Sequence, residues 1–324
     1  MQTSRLGRSG LAVSVVGLGC NNLGRAGTVT ATQEGTDAVV HAALDAGITL
    51  FDVADVYGAE AGLSETMLGR ALGSRRDEVV LATKFGMDVG GIGGGDFGAR
   101  GSRRYVTRAV EASLQRLGTD HIDLYQFHTP DPATPIEETL DALDDLVRAG
   151  KVRYIGHSNF AGWQIADAEH VARDRGGSRF VSSQNHYNLL DRRAELEVTP
   201  AAEAFGLGVL PYFPLANGLL TGKYSSGQAP EGSRLSMTRQ HLAEQGASEQ
   251  LQAFGRFAAE RDIDEVTVAI GWLLAQQPVA SVIAGATRPE QVAANAATAS
   301  WEPTPADLAE LDELFPAPDR VALF

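Results

Sequence analysis

Residues 48–58 read ITLFDVADVYG, and this stretch decides the fold. Mostly apolar, partly β-branched residues run straight into Asp52, a pattern that predicts a short buried strand. Asp52 then lies at the carboxyl end of that strand, and Tyr57 lies on the loop beyond it. α/β barrels keep their reactive groups at this end of their strands. If the pattern occurred only once, a helix cap at Asp52 and a packed ring at Tyr57 would explain it equally well.

The pattern returns about eight times, because apolar runs of strand length alternate with helical patterns that mostly stop at a glycine. The predicted strands are 15–19, 48–52, 79–83, 122–127, 152–156, 180–183, 208–211 and 279–283. The predicted helices are 36–46, 63–72, 106–117, 136–149, 162–175, 199–205, 249–261, 265–277, 289–297 and 308–314. Regular alternation predicts a parallel sheet with right-handed crossovers.

Eight such units in one undivided chain favour a closed (β/α)8 barrel of the α/β class, preceded by a β-hairpin within residues 1–14. We therefore expect a single domain over residues 1–324, with an insertion at 217–250 and a tail at 316–324. The competing fold is a doubly wound open sheet, which needs a glycine fingerprint between the first strand and its helix. The glycines of GLGCNNLG at 17–24 are spaced too widely for that fingerprint.

Residues 93–98 (GGGDFG) do match G-x-G-x-x-G, but they lie in a glycine-rich loop at 86–101 with no helix opening directly after them. A mobile loop over the mouth of the barrel is the preferred interpretation of this segment.

Composition excludes several classes of function. The chain has 324 residues and a formal net charge of -14, which argues against binding to nucleic acids and to anionic membranes. The single cysteine, Cys20, rules out an intramolecular disulfide and fits a reducing compartment. The N-terminus has no apolar signal core, and no apolar run approaches about 18 residues. We therefore expect a soluble cytoplasmic protein, and the sequence does not indicate an oligomeric state.

Three ionisable residues end successive predicted strands: Asp52, Lys84 and His128. Neighbouring strands lie about 5 Å apart, so these side chains and Tyr57 can converge in one pocket. We expect the lysine ammonium to lower the pKa of the phenol from its ordinary value near 10, and Asp52 to hold the lysine. His128 can donate to a substrate oxygen or help relay the proton. The set predicts a tyrosine general acid/base for reduction of a carbonyl by hydride, with no metal.

The second half of the chain supplies amides and an anion site. Polar side chains end the next two strands: Ser158, Asn159 and Gln184. They can hydrogen-bond a carboxamide, and Tyr212, after the seventh strand, can stack on a flat ring. Gly285, Thr287 and Arg288 precede a helix, where small residues and a guanidinium make a site for an adenosine phosphate.

These motifs together resemble the aldo-keto reductase superfamily, in its branch of bacterial reductases and potassium-channel β subunits. They are FDVADVYG (51–58), KFG (84–86), GTDHIDLYQFHTPDP (118–132), GHSNF (156–160), QNHYNLL (184–190), PYFPLANGLLTGKY (211–224) and IAGATRPEQVAANA (283–296). The resemblance extends from residue 17 to residue 295. It implies a (β/α)8 barrel that binds NADP(H) across its C-terminal face.

The resemblance also implies a role for each matching residue. Asp52, Tyr57, Lys84 and His128 match the catalytic tetrad, with Tyr57 as the acid. Ser158, Asn159 and Gln184 match the contacts of the nicotinamide carboxamide, and Tyr212 matches the residue under the ring. The other implied cofactor residues are Pro214, Leu215, Gly218, Lys223 and Arg234 around the pyrophosphate, and Gly285, Thr287, Arg288, Gln291 and Asn295 at the adenosine phosphate.

Two positions depart from the family pattern, because Ala284 replaces a frequent proline and Ala294 a frequent acid. Both bear on the choice between NADPH and NADH. Arg288 favours NADPH, since a 2′-phosphate is best matched by a guanidinium.

Three functions stay open at this point. The first is an NADPH-dependent carbonyl reductase, or in reverse an alcohol or sugar dehydrogenase, acting on a small molecule. The second is a module that holds NADPH as a redox sensor and regulates a partner. The third, a barrel hydrolase or isomerase that uses His128 and Asp52, leaves Tyr57 and Lys84 unexplained. Asn22 and Phe85 are expected in the substrate wall, and Asn22 indicates a hydroxylated, sugar-like substrate.

Overall fold

The structure, a computed structural model, describes residues 1–91, 95, 97–230, 236 and 240–319. Its strands are β1 Thr3–Arg5, β2 Ala12–Ser14, β3 Val16–Gly19, β4 Leu50–Asp52, β5 Val80–Phe85, β6 Ile122–Phe127, β7 Val152–Ser158, β8 Phe180–Gln184, β9 Gly208–Val209 and β10 Val282–Gly285. Its helices are α1 Gln33–Asp45, α2 Leu63–Leu72, α3 Arg103–Leu117, α4 Ile136–Arg148, α5 Gly162–Arg175, α6 Ala194–Phe205, α7 Glu249–Glu260, α8 Glu265–Ala275, α9 Pro289–Ala297 and α10 Pro305–Leu314.

Strands β3 to β10 form one parallel sheet that closes on itself. The strand order is β10-β3-β4-β5-β6-β7-β8-β9, which follows the chain except where the last strand pairs with the first. Backbone bonds join the two ends, since Val209 N donates to Pro278 O (3.0 Å) and Ala280 N donates to Val209 O (2.9 Å). Ile283 N also donates to Pro211 O at 3.0 Å. The predicted (β/α)8 barrel is therefore confirmed.

The hairpin of β1 and β2 covers the amino-terminal end of the barrel. The two strands are antiparallel, as predicted, with Thr3 opposite Ser14. Leu6 and Val13 are fully buried and pack with apolar side chains inside the barrel, among them Leu50. At the turn, Gly7 has φ +59°, and a Cβ there would lie 2.7 Å from Gly208 N. The hairpin thus seals one end and leaves the carboxyl end of the strands open.

Several predicted boundaries differ from the observed ones. Helix α6 begins at Ala194 rather than 199, because the helix accommodates Pro200 in its interior instead of starting near it. Helix α1 begins three residues early at Gln33, where the Thr32 side chain accepts a hydrogen bond from Gly35 N and caps the helix. Strand β10 begins at Val282, since the residues before it bond with β9 across the closure.

Two 3-10 stretches fall on the insertion predicted at 217–250: Ala216–Thr221, which begins one residue before it, and Gln240–Ala247. Residues 231–235 and 237–239 of the insertion, 92–94 and 96 of the glycine-rich loop, and 320–324 of the tail lie outside the described residues. No helix in the described part of the chain has the length and apolar character needed to cross a bilayer.

We expect Gly69→Ala to destabilise the protein, although alanine is the better helix former. Helix α2 passes the end of α3 at Gly69, where a Cβ would lie 2.6 Å from the carbonyl carbon of Leu117. The backbone cannot move aside without cost, so the free energy of unfolding should fall by about 1–3 kcal/mol. Denaturant-induced unfolding measures the change.

Gly255→Ala in α7 is the matched control. A Cβ there meets only Glu265 Oε1 at 3.5 Å, an ordinary contact. Helix propensity should then leave stability unchanged or raise it by up to about 1 kcal/mol. Equal unfolding midpoints for the two variants would contradict the close approach of α2 to α3.

Candidate active site

The four residues predicted to act together do converge at the carboxyl end of the strands. Asp52 and Lys84 are buried, and Lys84 Nζ donates to Asp52 Oδ2 at 2.5 Å and to Val53 O at 3.0 Å. Lys84 Nζ lies 5.1 Å from the centre of the Tyr57 ring. The rings of Tyr57 and His128 meet edge to face, with centroids 5.8 Å apart. An acid, a phenol, a cation and an imidazole thus share one site.

The second oxygen of Asp52 is held by two amides. Asp52 Oδ1 accepts from Gln126 Nε2 at 3.0 Å and from Gln184 Nε2 at 2.9 Å. Gln126 was not among the predicted site residues. Its signal was present, because it precedes His128 by two positions and so shares the inward face of a buried strand. These donors offset part of the cost of burying the carboxylate.

Burial and neighbouring charges shift the pKa values of Lys84 and Tyr57 in opposite directions. Burial would lower the pKa of Lys84, but the Asp52 carboxylate and Tyr57 outweigh it, and the pKa lies above its ordinary value. Burial raises the pKa of Tyr57, and Lys84 offsets only part of that rise. Lys84 thus lowers the Tyr57 pKa as expected, but the expectation that the pKa ends below its ordinary value is wrong. Tyr57 keeps its proton at neutral pH.

His128 is neutral in this site. Burial and the neighbouring Lys84 cation lower its pKa to about 3. Its backbone N donates to Phe85 O at 2.8 Å, and its backbone O accepts from Asn159 Nδ2 at 2.9 Å, so the residue extends β6 by one position. Nδ1 is buried without a hydrogen-bond partner among the described residues. The uncharged ring can donate one hydrogen bond.

The predicted carboxamide contacts also lie together, but most of their donors are already used. Ser158 Oγ donates to Gln184 O at 2.7 Å, and Asn159 Nδ2 donates to Ser158 Oγ at 3.1 Å. Asn159, in the left-handed region at φ +61°, accepts from the Tyr212 hydroxyl at 2.9 Å. Two acceptors keep a free position, Gln184 Oε1 and Asn159 Oδ1, because an amide oxygen accepts two hydrogen bonds.

A cavity of about 1010 Å³ opens above the strand ends. Asp52, Tyr57 and His128 line it, as do most of the residues predicted to bind a cofactor. The latter are Ser158, Asn159, Gln184, Tyr212, Pro214, Leu215, Gly218, Lys223, Gly285, Thr287, Gln291 and Asn295. The structure thus brings both predicted groups of residues to one continuous space.

The helix α9 end of the cavity differs from expectation in one respect. Thr287 N and Oγ1 both donate to Gln291 Oε1, at 2.8 and 3.1 Å, and so tie the loop to the first turn of the helix. Arg288 is the exposed N-cap residue of α9 and does not line the cavity. Arg234 lies outside the described residues.

In the part of the chain that is described, no three His, Cys, Asp or Glu side chains could hold a metal ion.

One of the two predicted substrate residues is misplaced. Asn22 lines the cavity, but Phe85 is fully buried and does not. Side chains alternate along a strand, so Phe85 points away from the barrel interior that Lys84 enters. Its ring stacks between those of Tyr125 (4.7 Å) and Phe127 (5.0 Å) in the layer between sheet and helices. The prediction for Phe85 is therefore wrong.

His186, which was not predicted from the sequence, packs against Tyr212 and holds its ring in place. The His186 ring stacks on the Tyr212 ring with centroids 5.4 Å apart and planes within 7°. His186 Nδ1 lies 3.0 Å from Asp191 Oδ2, and Nε2 lies 3.1 Å from Asn188 Nδ2. These partners fix the ring plane, so one face of Tyr212 is occupied while its side toward the cavity can receive a ligand. The sequence feature that could have indicated His186 is its position two residues after Gln184.

Comparison with known proteins identifies the class. The model of the Aldo/keto reductase family matches residues 15–315. The uncharacterized oxidoreductase YrpG of Bacillus subtilis is 39% identical over 324 residues, covering 98% of this chain and 97% of the relative. A Schizosaccharomyces pombe protein that carries the name of a voltage-gated potassium channel β subunit is 35% identical over 95% of this chain and 92% of its own.

L-glyceraldehyde 3-phosphate reductase of Escherichia coli (strain K12) is 33% identical over 91% of this chain and 86% of the relative. The chain therefore belongs to the aldo/keto reductase family. The family and its oxidoreductase members support an oxidoreductase that acts on carbonyl groups.

His157, next to Ser158, gives a prediction for acid stability. It is fully buried against Phe160 and Phe180, and burial lowers its pKa from 6.5 to about 3. The folded state holds it neutral, so its contribution to stability is complete above about pH 6.5 and is lost as the pH falls toward 3. Between pH 7.5 and pH 5 this loss is about 2 kcal/mol.

We expect His157→Phe to remove that part of the pH dependence, whatever its effect on stability at neutral pH. His170→Phe on the exposed side of α5 is the control and should leave the dependence as in the wild type. Denaturant unfolding at the two pH values measures both. An unchanged slope in the His157 variant would show that His157 is not held neutral.

Proposed function

We propose that the protein is an NADPH-dependent carbonyl reductase in which Tyr57 is the general acid. The observation that carries this proposal is the buried Asp52–Lys84 pair beside the Tyr57 ring, at a cavity wall shared with His128. A buried ion pair costs much desolvation and contributes little to stability compared with apolar packing. The ion pair lies beside the Tyr57 phenol, and this position indicates a role in catalysis. The Lys84 cation stabilises the phenolate that forms when the proton leaves.

The cavity residues fit a nicotinamide cofactor. The free face of Tyr212 can take a flat ring, and the free acceptor positions on Gln184 and Asn159 can take a carboxamide NH2. Lys223 lines the cavity, and Arg288 starts helix α9, each without an acidic partner among the described residues. Two cations and a helix N-terminus suit the phosphates of NADPH, and a guanidinium suits a 2′-phosphate.

When bound, NADPH supplies the hydride for the carbonyl carbon. Tyr57 donates its proton to the carbonyl oxygen, and the neutral His128 can hydrogen-bond the same oxygen while charge develops on it. Lys84 stabilises the resulting phenolate, and Asp52, held by two glutamines, keeps Lys84 in place. Because burial raises the pKa of Tyr57, the residue carries its proton at neutral pH, which is the state that reduction needs.

The substrate we propose is a small hydroxylated aldehyde. Asn22 lines the cavity beside the site and offers both a donor and an acceptor. One relative is named for the reduction of L-glyceraldehyde 3-phosphate. A second candidate function is a redox-sensing module that holds NADPH with little turnover, and the relative that carries a potassium-channel β-subunit name favours it.

The test is a fluorescence titration with NADPH and NADH, followed by loss of NADPH absorbance with a panel of aldehydes. Tight NADPH binding with turnover supports the reductase. Tight binding with no turnover of any aldehyde supports the sensor, and no binding of either nucleotide contradicts both.

Tyr57→Phe should keep the fold and NADPH affinity but lower the turnover number by about two to four orders of magnitude, because the proton donor is lost. Tyr154→Phe is the matched control. Tyr154 is a half-buried residue of β7 packed near the sealed end of the barrel, away from the cavity. Near-normal turnover in the Tyr57 variant would remove this residue from the acid role.

The pH profile of reduction follows from two pKa values. Reduction needs Tyr57 protonated and His128 neutral; the pKa of Tyr57 lies above 10, and that of His128 is about 3. Neither group changes its protonation between about pH 5 and pH 9, so the turnover number should be nearly constant there and fall only at higher pH. A bell-shaped profile centred near neutrality would contradict these assignments.

A further inference from the structure

The cavity has a wall that the cofactor residues do not account for. It is built by the loops that follow β3, β4 and β5, and its side chains are Asn21, Asn22, Arg25, Thr28, Val56 and Met87. Arg25 is the one charged residue in this set. The chain has a net charge of -14, so a cation on the cavity wall is opposite in sign to the protein as a whole.

Arg25 is half-buried and has no carboxylate partner among the described residues. Its Nη1 donates to Asn22 Oδ1 at 2.9 Å, and Asn22 is the only side chain in the described part of the chain to accept from it. A guanidinium carries several N–H donors in a fork that matches an oxyanion. Most of these donors are left for a ligand.

The loop that carries Arg25 is held by its own hydrogen bonds. Arg25 O accepts from Thr28 Oγ1 at 2.8 Å, and Gly24 N donates to Thr30 O at 2.8 Å. Gly24 O accepts from Ala59 N at 2.9 Å, which ties this loop to the one that bears the catalytic tyrosine. The guanidinium is therefore carried on a loop fixed beside the reacting centre, and little ordering is needed on binding.

We propose that Arg25 binds an anionic group, a phosphate or carboxylate, on the carbonyl substrate, so that the substrate class is a small anionic aldehyde. This inference rests on the proposed reductase function. The cofactor's phosphates are the other source of the same chemistry. Lys223 and Arg288 lie on the loops after β9 and β10 and are assigned to those phosphates. Arg25 lies on the loop after β3, which neighbours the β10 loop through the bond from Asn22 Nδ2 to Ala286 O (3.4 Å), and belongs to the wall that remains.

The experiment compares substrates that differ only in the anion. The pairs are glyceraldehyde with glyceraldehyde 3-phosphate, and butanal with succinic semialdehyde. The wild type should have the lower KM for the anionic member of at least one pair. In Arg25→Gln that KM should rise about 10- to 100-fold, the usual worth of a charged hydrogen-bonded contact. The KM for the neutral member and the Kd for NADPH should change less than about twofold.

Two further variants sharpen the result. Arg25→Lys keeps the charge but loses the fork, and should give an intermediate KM for the anionic substrate. Arg70→Gln removes one positive charge from the exposed side of α2 and should behave as the wild type. An equal rise in KM for both members of a pair, or loss of NADPH affinity in Arg25→Gln, overturns the proposal. No preference for an anionic substrate in the wild type overturns it as well.

A binding measurement separates this inference from the proposed function. Glycerol 3-phosphate is titrated calorimetrically into the wild type and into Arg25→Gln, each with and without NADPH. Saturable binding that weakens at least tenfold in the variant supports an anion site at Arg25, even if no aldehyde is turned over and the reductase proposal fails. Absence of binding in both states of the wild type overturns the anion site.

Discussion

The buried ion pair of Asp52 and Lys84 is the constraint on which the rest of the site depends. A carboxylate and an ammonium inside a barrel are tolerated only when their remaining donors and acceptors are matched. The side chains of Gln126 and Gln184 donate hydrogen bonds to the carboxylate, and a backbone carbonyl accepts one from the ammonium. Two further strands, β6 and β8, must therefore present inward polar side chains at the level of this pair. Below that level lies a cluster of apolar side chains that includes Leu50, so the barrel separates a packed end from a reactive one.

One cation then acts on two further groups. Lys84 lowers the pKa of Tyr57 while burial raises it, and the effect of burial is the larger of the two. The same cation joins burial in keeping His128 uncharged. The site therefore holds a protonated phenol and a neutral imidazole side by side. This is the state that suits donation to a carbonyl oxygen, and it follows from burial together with a single fixed charge.

The sequence predicted the barrel and the four converging residues because both rest on local patterns: apolar runs, glycine stops, and an ionisable residue at each strand end. Phe85 was misassigned although the alternation of side chains places it opposite Lys84. Gln126 was missed although the same alternation places it on the inward face of its strand with His128. Its partner could not be predicted locally, because the bond to Asp52 joins residues 74 positions apart. The stacking of His186 on Tyr212 is likewise a product of how neighbouring strand ends meet. The net pKa of Tyr57 could not be predicted, because burial is known only from the packed structure.

The charge of the whole chain and that of its cavity have opposite signs, and this contrast bears on which ligands can enter. The net charge of -14 disfavours extended polyanions, which would contact much of the acidic surface at once. A small anion is repelled far less, since surface charges are screened beyond about 8–10 Å at physiological salt. Inside the cavity Lys223 and Arg25 act at short range, where screening is weak. On the proposal that Lys223 and Arg25 bind anions, size decides which anions can reach them, because only a small anion fits inside the cavity and away from the acidic outer surface. Long-range attraction does not help them arrive, so their affinity must come from the contacts made once they are inside.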